Sequence, residues 1–322
     1  MTPRSVFLIV SALCLALPRV GVAQADNPNP PGTTVKLVFI HHSTGENWLG
    51  DPGAVSEPGG LGAALAANNY FVSDTNYGWA AGGETLGDRT DIGNWWEWFA
   101  GPSRDTITAA LYAESQRSGE FYSRLANDPG GENEVVMFKS CFPNSYLGGS
   151  PGDPPATEPN PLRAQDSGSE HHTVGNAKGI YNDILAYFAT RQDKLFVVIT
   201  APPQVSTDTD EAHAANARAF NNWLVNEWLA GYTHRNVAVF DFFNVLTSNG
   251  GSASVSDVGQ ETGNHHRFWN GAVQHQLSVN SNISAYGSGD GSDSHPSAAG
   301  GQKATTEFVQ LLNVFYHRFK GQ

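Results

Sequence analysis

Three short polar clusters carry the side chains with which this chain could do covalent chemistry. The first is Phe39-Ile40-His41-His42-Ser43-Thr44-Gly45. An apolar run ends at His41 and a small turn follows. Ser43 would therefore stand just above the end of a strand, its Oγ exposed and backbone N–H groups nearby for an oxyanion. A serine capping the following helix would have the same local sequence. The second cluster is Asp293-Ser294-His295-Pro296-Ser297. A serine nucleophile needs a base for its proton, and histidine is the side chain that titrates nearest neutrality. A carboxylate beside it would hold the imidazole tautomer and stabilise the imidazolium. Asp, Ser and Pro also favour helix starts, but capping has no need of a histidine. The third cluster, Lys139-Ser140-Cys141-Phe142-Pro143-Asn144-Ser145, offers the Asn144 amide as a donor to an oxyanion. An asparagine is equally at home in a turn.

The elements that must position these clusters alternate along the chain. Apolar, β-rich runs occupy 35–41, 70–75, 134–139, 195–200 and 237–241. Short continuous runs of this kind suit strands buried on both faces, as in parallel sheets. Between them lie segments of helical period. Ala177, Ile180, Tyr181, Ile184, Leu185 and Phe188 share one helix face, as do Phe220, Trp223, Leu224 and Trp228, and then Ala304, Phe308, Leu311, Leu312 and Phe315. The pattern predicts one α/β domain over 35–322, a five-stranded parallel sheet with right-handed crossovers and helices on both faces. An extended Pro/Asn-rich lead-in precedes it at 26–34. Long connections at 76–103, 142–174 and 247–292 each follow a strand. They gather at the carboxyl edge of the sheet, where such folds place ligands.

Taken in this order, the three clusters resemble the SGNH (GDSL-like) serine hydrolases. Such a hydrolase carries a nucleophilic Ser after the first strand, an oxyanion Gly after the second, an Asn after the third, and Asp-x-x-His before the last helix. The resemblance spans about residues 35–318 and implies a three-layer, flavodoxin-like fold. It implies Ser43 as nucleophile, His295 as base, and Asn144 with the Ser43 N–H as oxyanion donors. Gly78 is the best-placed glycine, with Gly83 and Gly87 behind it. Ala201-Pro202-Pro203 and Asp241 also fit the family. The chain departs from the pattern in two places. His41-His42 stands where the family has Gly-Asp, and Ser292 occupies the position three before His295. The acid is then Asp293, Asp290, or a backbone carbonyl. The resemblance implies a serine esterase acting through an acyl-enzyme and needing no cofactor. Its substrate would be a small-molecule or polysaccharide ester, acetylated carbohydrate in particular.

Other motifs carry less. Gly148-Gly149-Ser150-Pro151-Gly152 matches G-x-S-x-G in letters but sits in a Pro-rich loop. Gly60-Leu61-Gly62 lacks a third glycine for a dinucleotide turn. Cys141 reads as a buried structural thiol before it reads as a nucleophile. The pairs His41-His42, His171-His172 and His265-His266 could meet in a zinc site, the basis of a metal-dependent hydrolase as an alternative. Neighbours on an extended segment point oppositely, however, and the last two pairs read as exposed loop. The cluster Asn94-Trp95-Trp96-Glu97-Trp98-Phe99 is either a sugar-stacking rim or a core cluster, and core is the expectation. The rim reading would suit a glycan-binding protein on a degenerate hydrolase fold.

Composition narrows the field further. Arg4, the apolar run from Val6 to Leu17 and Ala23-Gln24-Ala25 form a secretory leader cleaved after Ala25, predicting a secreted or periplasmic protein. Its removal takes Arg4 and Arg19 and no acid, so the net charge of −13 becomes more negative still. That charge argues against nucleic-acid binding. No later run approaches the roughly 18 apolar residues of a membrane span. Cys14 leaves with the leader, so Cys141 has no intramolecular partner and stability must come from an ordinary core.

Overall fold

The computed structural model describes residues 25–252, 254–278, 281–289 and 291–322. Residues 1–24 of the leader and Asp290 lie outside the described residues. Five strands form the central sheet: β1 (Val35–Ile40), β2 (Tyr70–Thr75), β5 (Val135–Lys139), β6 (Leu195–Ile199) and β7 (Val237–Phe240). Between β2 and β5 a small hairpin pairs β3 (Ala80–Ala81) with β4 (Glu84–Thr85). The sheet order is β2-β1-β5-β6-β7 and every pair is parallel. The chain winds outward from β1 in both directions, so the switch point falls between β1 and β5, where a crevice opens beyond the strand ends.

The helices are α1 (Thr44–Leu49), α2 (Leu61–Ala67), α3 (Trp95–Phe99), α4 (Arg104–Ala113), α5 (Val174–Phe188), α6 (Glu211–Asn226), α7 (Phe242–Val245) and α8 (Ala298–Lys320). Alternate strand residues point to opposite faces, and each face has its own core. Val38, Ile40, Val136, Phe138, Phe196 and Val198 pack beneath α3, α4, α5 and α6. Leu37, Phe39, Val135, Met137, Val197 and Phe240 pack beneath α1, α2 and α8. The result is a three-layer α/β sandwich, as the alternation predicts. Local chemistry sets the helix ends. The Asp210 carboxylate accepts the backbone N–H groups of Ala212 and His213 at the start of α6. The last turn of α8 carries His317, Arg318 and Lys320 against the negative end of the helix dipole, and Gly321 closes it at φ 71°.

Two of the long connections contain more structure than their composition suggests. The Trp-rich part of 76–103 is helix α3 rather than loop. Trp95, Trp98 and Phe99 are fully buried against Phe138 and α5, and Trp96 packs partly against the same core. The aromatic cluster is therefore core, not rim. The third connection holds an antiparallel hairpin, β8 (His265–Trp269) with β9 (Ala272–Gln276). His265 and His266 are buried in it, which corrects the exposed-loop expectation for that pair. The His265 Nδ1 lies 2.6 Å from the Glu307 carboxylate of α8, and the His266 Nδ1 accepts the Asp241 N–H at 2.9 Å. His172 is likewise buried, its Nδ1 3.0 Å from the Tyr146 carbonyl. Lys303 of α8 organises the loop before the hairpin by donating to the carbonyls of Val245, Ser248 and Asn264 and to the Asp257 carboxylate.

Burial of two whole indoles sets a stability expectation. Trp95→Ala and Trp98→Ala should each cost about 3–5 kcal/mol, read from the midpoint of guanidinium denaturation. A change under about 1 kcal/mol would return these rings to the surface.

Candidate active site

The site begins where β1 gives way to α1. Ser43 is the hinge of that change, with φ 46° and ψ −103°, a backbone conformation that a non-glycine residue adopts only under strain. The turn is tight enough that a Cβ on Gly45 would come within 2.4 Å of the His41 Cβ. Glycine two residues after the serine is thus a requirement of close approach. His41 is fully buried below the turn, with its Nε2 3.2 Å from the Asp74 carboxylate of β2. Asp74 is also held by the Tyr122 hydroxyl at 2.8 Å and the Ser118 N–H at 3.0 Å. Burial would raise its pKa, but the His41 bond and charge, with the other two bonds, hold it below the usual carboxylate range.

His295 reaches Ser43 from the far end of the chain. Strand β11 (Asp293–Pro296) pairs with β10 (Gly287–Ser288) just before α8. The Ser294 hydroxyl locks β11 to the loop after β6 by accepting the Val205 N–H at 3.0 Å and donating to Asp208 at 2.5 Å. In this setting the Ser43 Oγ and His295 Nε2 are 2.5 Å apart, across 252 positions of sequence. On the other side of the ring Nδ1 lies 2.8 Å from the Asp293 Oδ1, which also accepts the His295 backbone N–H at 3.0 Å. With the carboxylate as acceptor, Nδ1 carries the proton and Nε2 is free to accept. Burial pushes the Asp293 pKa up, but the two His295 hydrogen bonds and its charge outweigh that and leave the carboxyl lowered. Asp293 therefore stays ionised throughout the neutral range. Phe142 meets the His295 ring edge-on at 5.0 Å.

The structure thus joins three of the sequence candidates, Ser43, His295 and Asp293, in one hydrogen-bonded chain. Asn144 and Gly78 are otherwise engaged. Asn144 sits in the 3₁₀ turn after β5, where its Oδ1 accepts the Ile92 N–H at 2.8 Å. Its Nδ2 donates to Asp91 at 2.5 Å and, at a longer 3.3 Å, to the Cys141 carbonyl. The Gly78 N–H, in a turn with φ 79°, makes a long 3.3 Å bond to Asp88. Cys141 is a buried free thiol. Among the described residues no group of three His, Cys, Asp or Glu side chains is arranged to hold a metal.

Sequence reasoning missed three side chains here. Tyr77, 58% exposed, stacks on His42 at 5.0 Å and places its hydroxyl 3.3 Å from the His42 Nδ1. Tyr146, 42% exposed, stacks on His213 at 3.6 Å, and the Nδ1 of His213 is 2.8 Å from Asp210. Each tyrosine is stacked on an imidazole and is about half exposed. The third, Lys139, is buried at the end of β5. For both tyrosines the available signal was an aromatic within a few residues of a strand end; for Lys139 it was a charge closing an apolar strand.

No protein-family profile and no curated protein matches the chain. One solved structure is similar to it, a family two carbohydrate esterase from Clostridium thermocellum in complex with cellohexaose. The likeness has a TM-score of 0.35 and 13% identity, covering 88% of this chain and 65% of the esterase chain. The chain spans just under two thirds of that esterase's length.

Proposed function

We propose that this protein is a serine esterase that cleaves acyl esters through an acyl-enzyme. The observation that carries the reading is the continuous contact from a strained Ser43 through His295 to Asp293. Ser43 Oγ attacks the ester carbonyl as His295 Nε2 takes its proton, and the carbonyl electron pair moves onto oxygen. When that tetrahedral adduct collapses, the bond to the leaving alcohol breaks and the alcohol receives the proton from His295. Water then repeats the sequence on the acyl-serine, again using His295 as base, and frees the acid. Asp293 stabilises the imidazolium in both halves.

The oxyanion needs donors that can turn to it. The Ser43 N–H donates to no described residue and is the first of them. The long bonds of the Gly78 N–H and of the second Asn144 amide hydrogen are weak enough to be exchanged for a developing negative charge. A sugar or polysaccharide ester is the substrate we favour, acetyl esters first. Tyr77 and Tyr146 are half-exposed aromatic rings of the kind that stack on sugars. Export through the 1–25 leader would bring the protein to such polymers.

Two experiments test this. A fluorophosphonate probe on the mature protein should give one adduct, on Ser43, abolished by Ser43→Ala and indifferent to EDTA. The same substitution should lower turnover of an aryl acetate by about 10⁴-fold or more. A folded protein without an adduct would overturn the serine reading. Asn144→Ala should cost about 1–3 kcal/mol in urea denaturation, because it orphans the Ile92 N–H and an Asp91 oxygen. It should also cost about 10²–10³ in kcat if the amide serves the oxyanion; an unchanged kcat would leave Asn144 as a structural tie alone.

A further inference from the structure

Lys139 closes β5 and pairs in register with Ile199 of β6, in the middle of the sheet beside the switch point. Its side chain is 1% exposed. The ammonium donates to the Thr44 hydroxyl, the residue next to Ser43, and to the Ser140 carbonyl at 3.0 Å. Among the described residues no carboxylate lies within ion-pair distance of it. Among the other buried lysines described, Lys178 likewise has only a carbonyl, that of Asp153, but three have a carboxylate. Lys36 reaches Asp128, Lys194 reaches Glu132, and Lys303 reaches Asp257. An uncompensated cation is costly to bury, and a hydroxyl and a carbonyl do not neutralise it. No carboxylate therefore pairs with its charge at the turn that carries the nucleophile.

We propose that Lys139 is an electrostatic positioning residue, tethered under the Ser43 turn through Thr44 so that its charge favours negative charge on the reacting oxygens. The inference rests on the serine-esterase reading for its effect on rate. No proton moves to or from Lys139 during the reaction; it acts through the turn and through its field.

His42, two residues before Thr44, has its pKa lowered to about 4, by burial first and by the Lys139 charge second, with Asp91 opposing. Lys139 itself is lowered to about 8 by burial, with the Cys141 thiol the one opposing group. The sign follows directly. The ammonium is present at neutral pH and is lost as the pH rises through about 8, taking its field with it. The titratable groups around it are Cys141 on its own segment and His41 and His42 at the end of β1. His41 is paired with Asp74, and Glu46 of α1 is bonded to Asn76. On the β6 side Ile199 and Thr200 do not titrate.

The test compares the mature protein with Lys139→Met and Lys139→Arg. Three quantities are read: melting temperature, the pH profile of kcat and KM on an aryl acetate corrected for spontaneous hydrolysis, and the histidine ring titrations by NMR. Lys139→Met should melt no lower than wild type, because it removes a charge whose burial is unfavourable. It should lose about 10- to 100-fold in kcat at neutral pH with KM unchanged. The wild-type decline in kcat near pH 8 should disappear, and His42 should titrate above its position near 4. Lys139→Arg, whose charge persists, should keep His42 low and move the alkaline decline upward. A Lys139→Met protein with wild-type kcat and an unmoved His42 overturns the inference, as does one that loses activity only by melting lower. Should that variant not fold, the arginine variant decides, and an unshifted alkaline decline overturns the proposal. The His42 titration reads the Lys139 field even in a protein without esterase activity. Failure of the serine reading would appear instead as wild-type protein that neither turns over ester nor takes the fluorophosphonate.

Discussion

The contact between Ser43 Oγ and His295 Nε2 is the point at which the two ends of this fold must agree. Ser43 belongs to the first strand-to-helix turn, and His295 to the strand that feeds the last helix. Their approach requires β1 to lie inside the sheet, next to the switch point, and α8 to return across the same face as α1 and α2. The apolar layer formed by Trp48, Phe240, Phe308 and Leu311 fixes that return. Within it Thr305 accepts the Trp48 indole N–H at 3.0 Å and donates to the Gly59 carbonyl at 2.8 Å. A hydrogen bond 2.5 Å long at the rim thus depends on packing many residues deep.

The polar groups around the turn fall into two kinds. On the β2 side Asp74 is bonded to the His41 ring, the Tyr122 hydroxyl and the Ser118 N–H, so its charge is compensated locally. On the β5 side Lys139 has hydroxyl and carbonyl partners only. The site is therefore asymmetric, with its unbalanced positive charge beneath the serine and its paired acid, Asp293, out at the half-exposed rim. For chemistry that develops negative charge on oxygen, this is the favourable arrangement.

Much of the frame was legible in the residue order because burial on both faces leaves a local trace. Strands such as Leu195–Ile199 have no polar alternation to confuse, and α5 and α8 show their apolar face at every turn. The order of the three polar clusters also located Ser43, His295 and Asp293. What stayed hidden depends on distant partners. Helix α3 has five residues between glycine-containing segments, and only the facing Phe138 and α5 make its indoles core. Hairpin β8–β9 begins His-His-Arg and reads as loop until Glu307 and Asp241 are seen to satisfy it. Lys139 ends its strand like any solvent-seeking lysine, and nothing local says that Thr44 covers it.

Asp293 and His295 lie within one four-residue strand, and a single carboxylate oxygen accepts both the ring and the backbone N–H of the histidine. The Asp293 carboxylate and the His295 ring are consequently held to each other by contacts within β11 itself. Only one distance in the chain of contacts, serine to imidazole, is long-range. Thermal loosening of the layer between α1 and α8 would lengthen that distance and no other. On the esterase reading proposed above, the protein would then lose activity while still native by most spectroscopic measures, and recover on cooling.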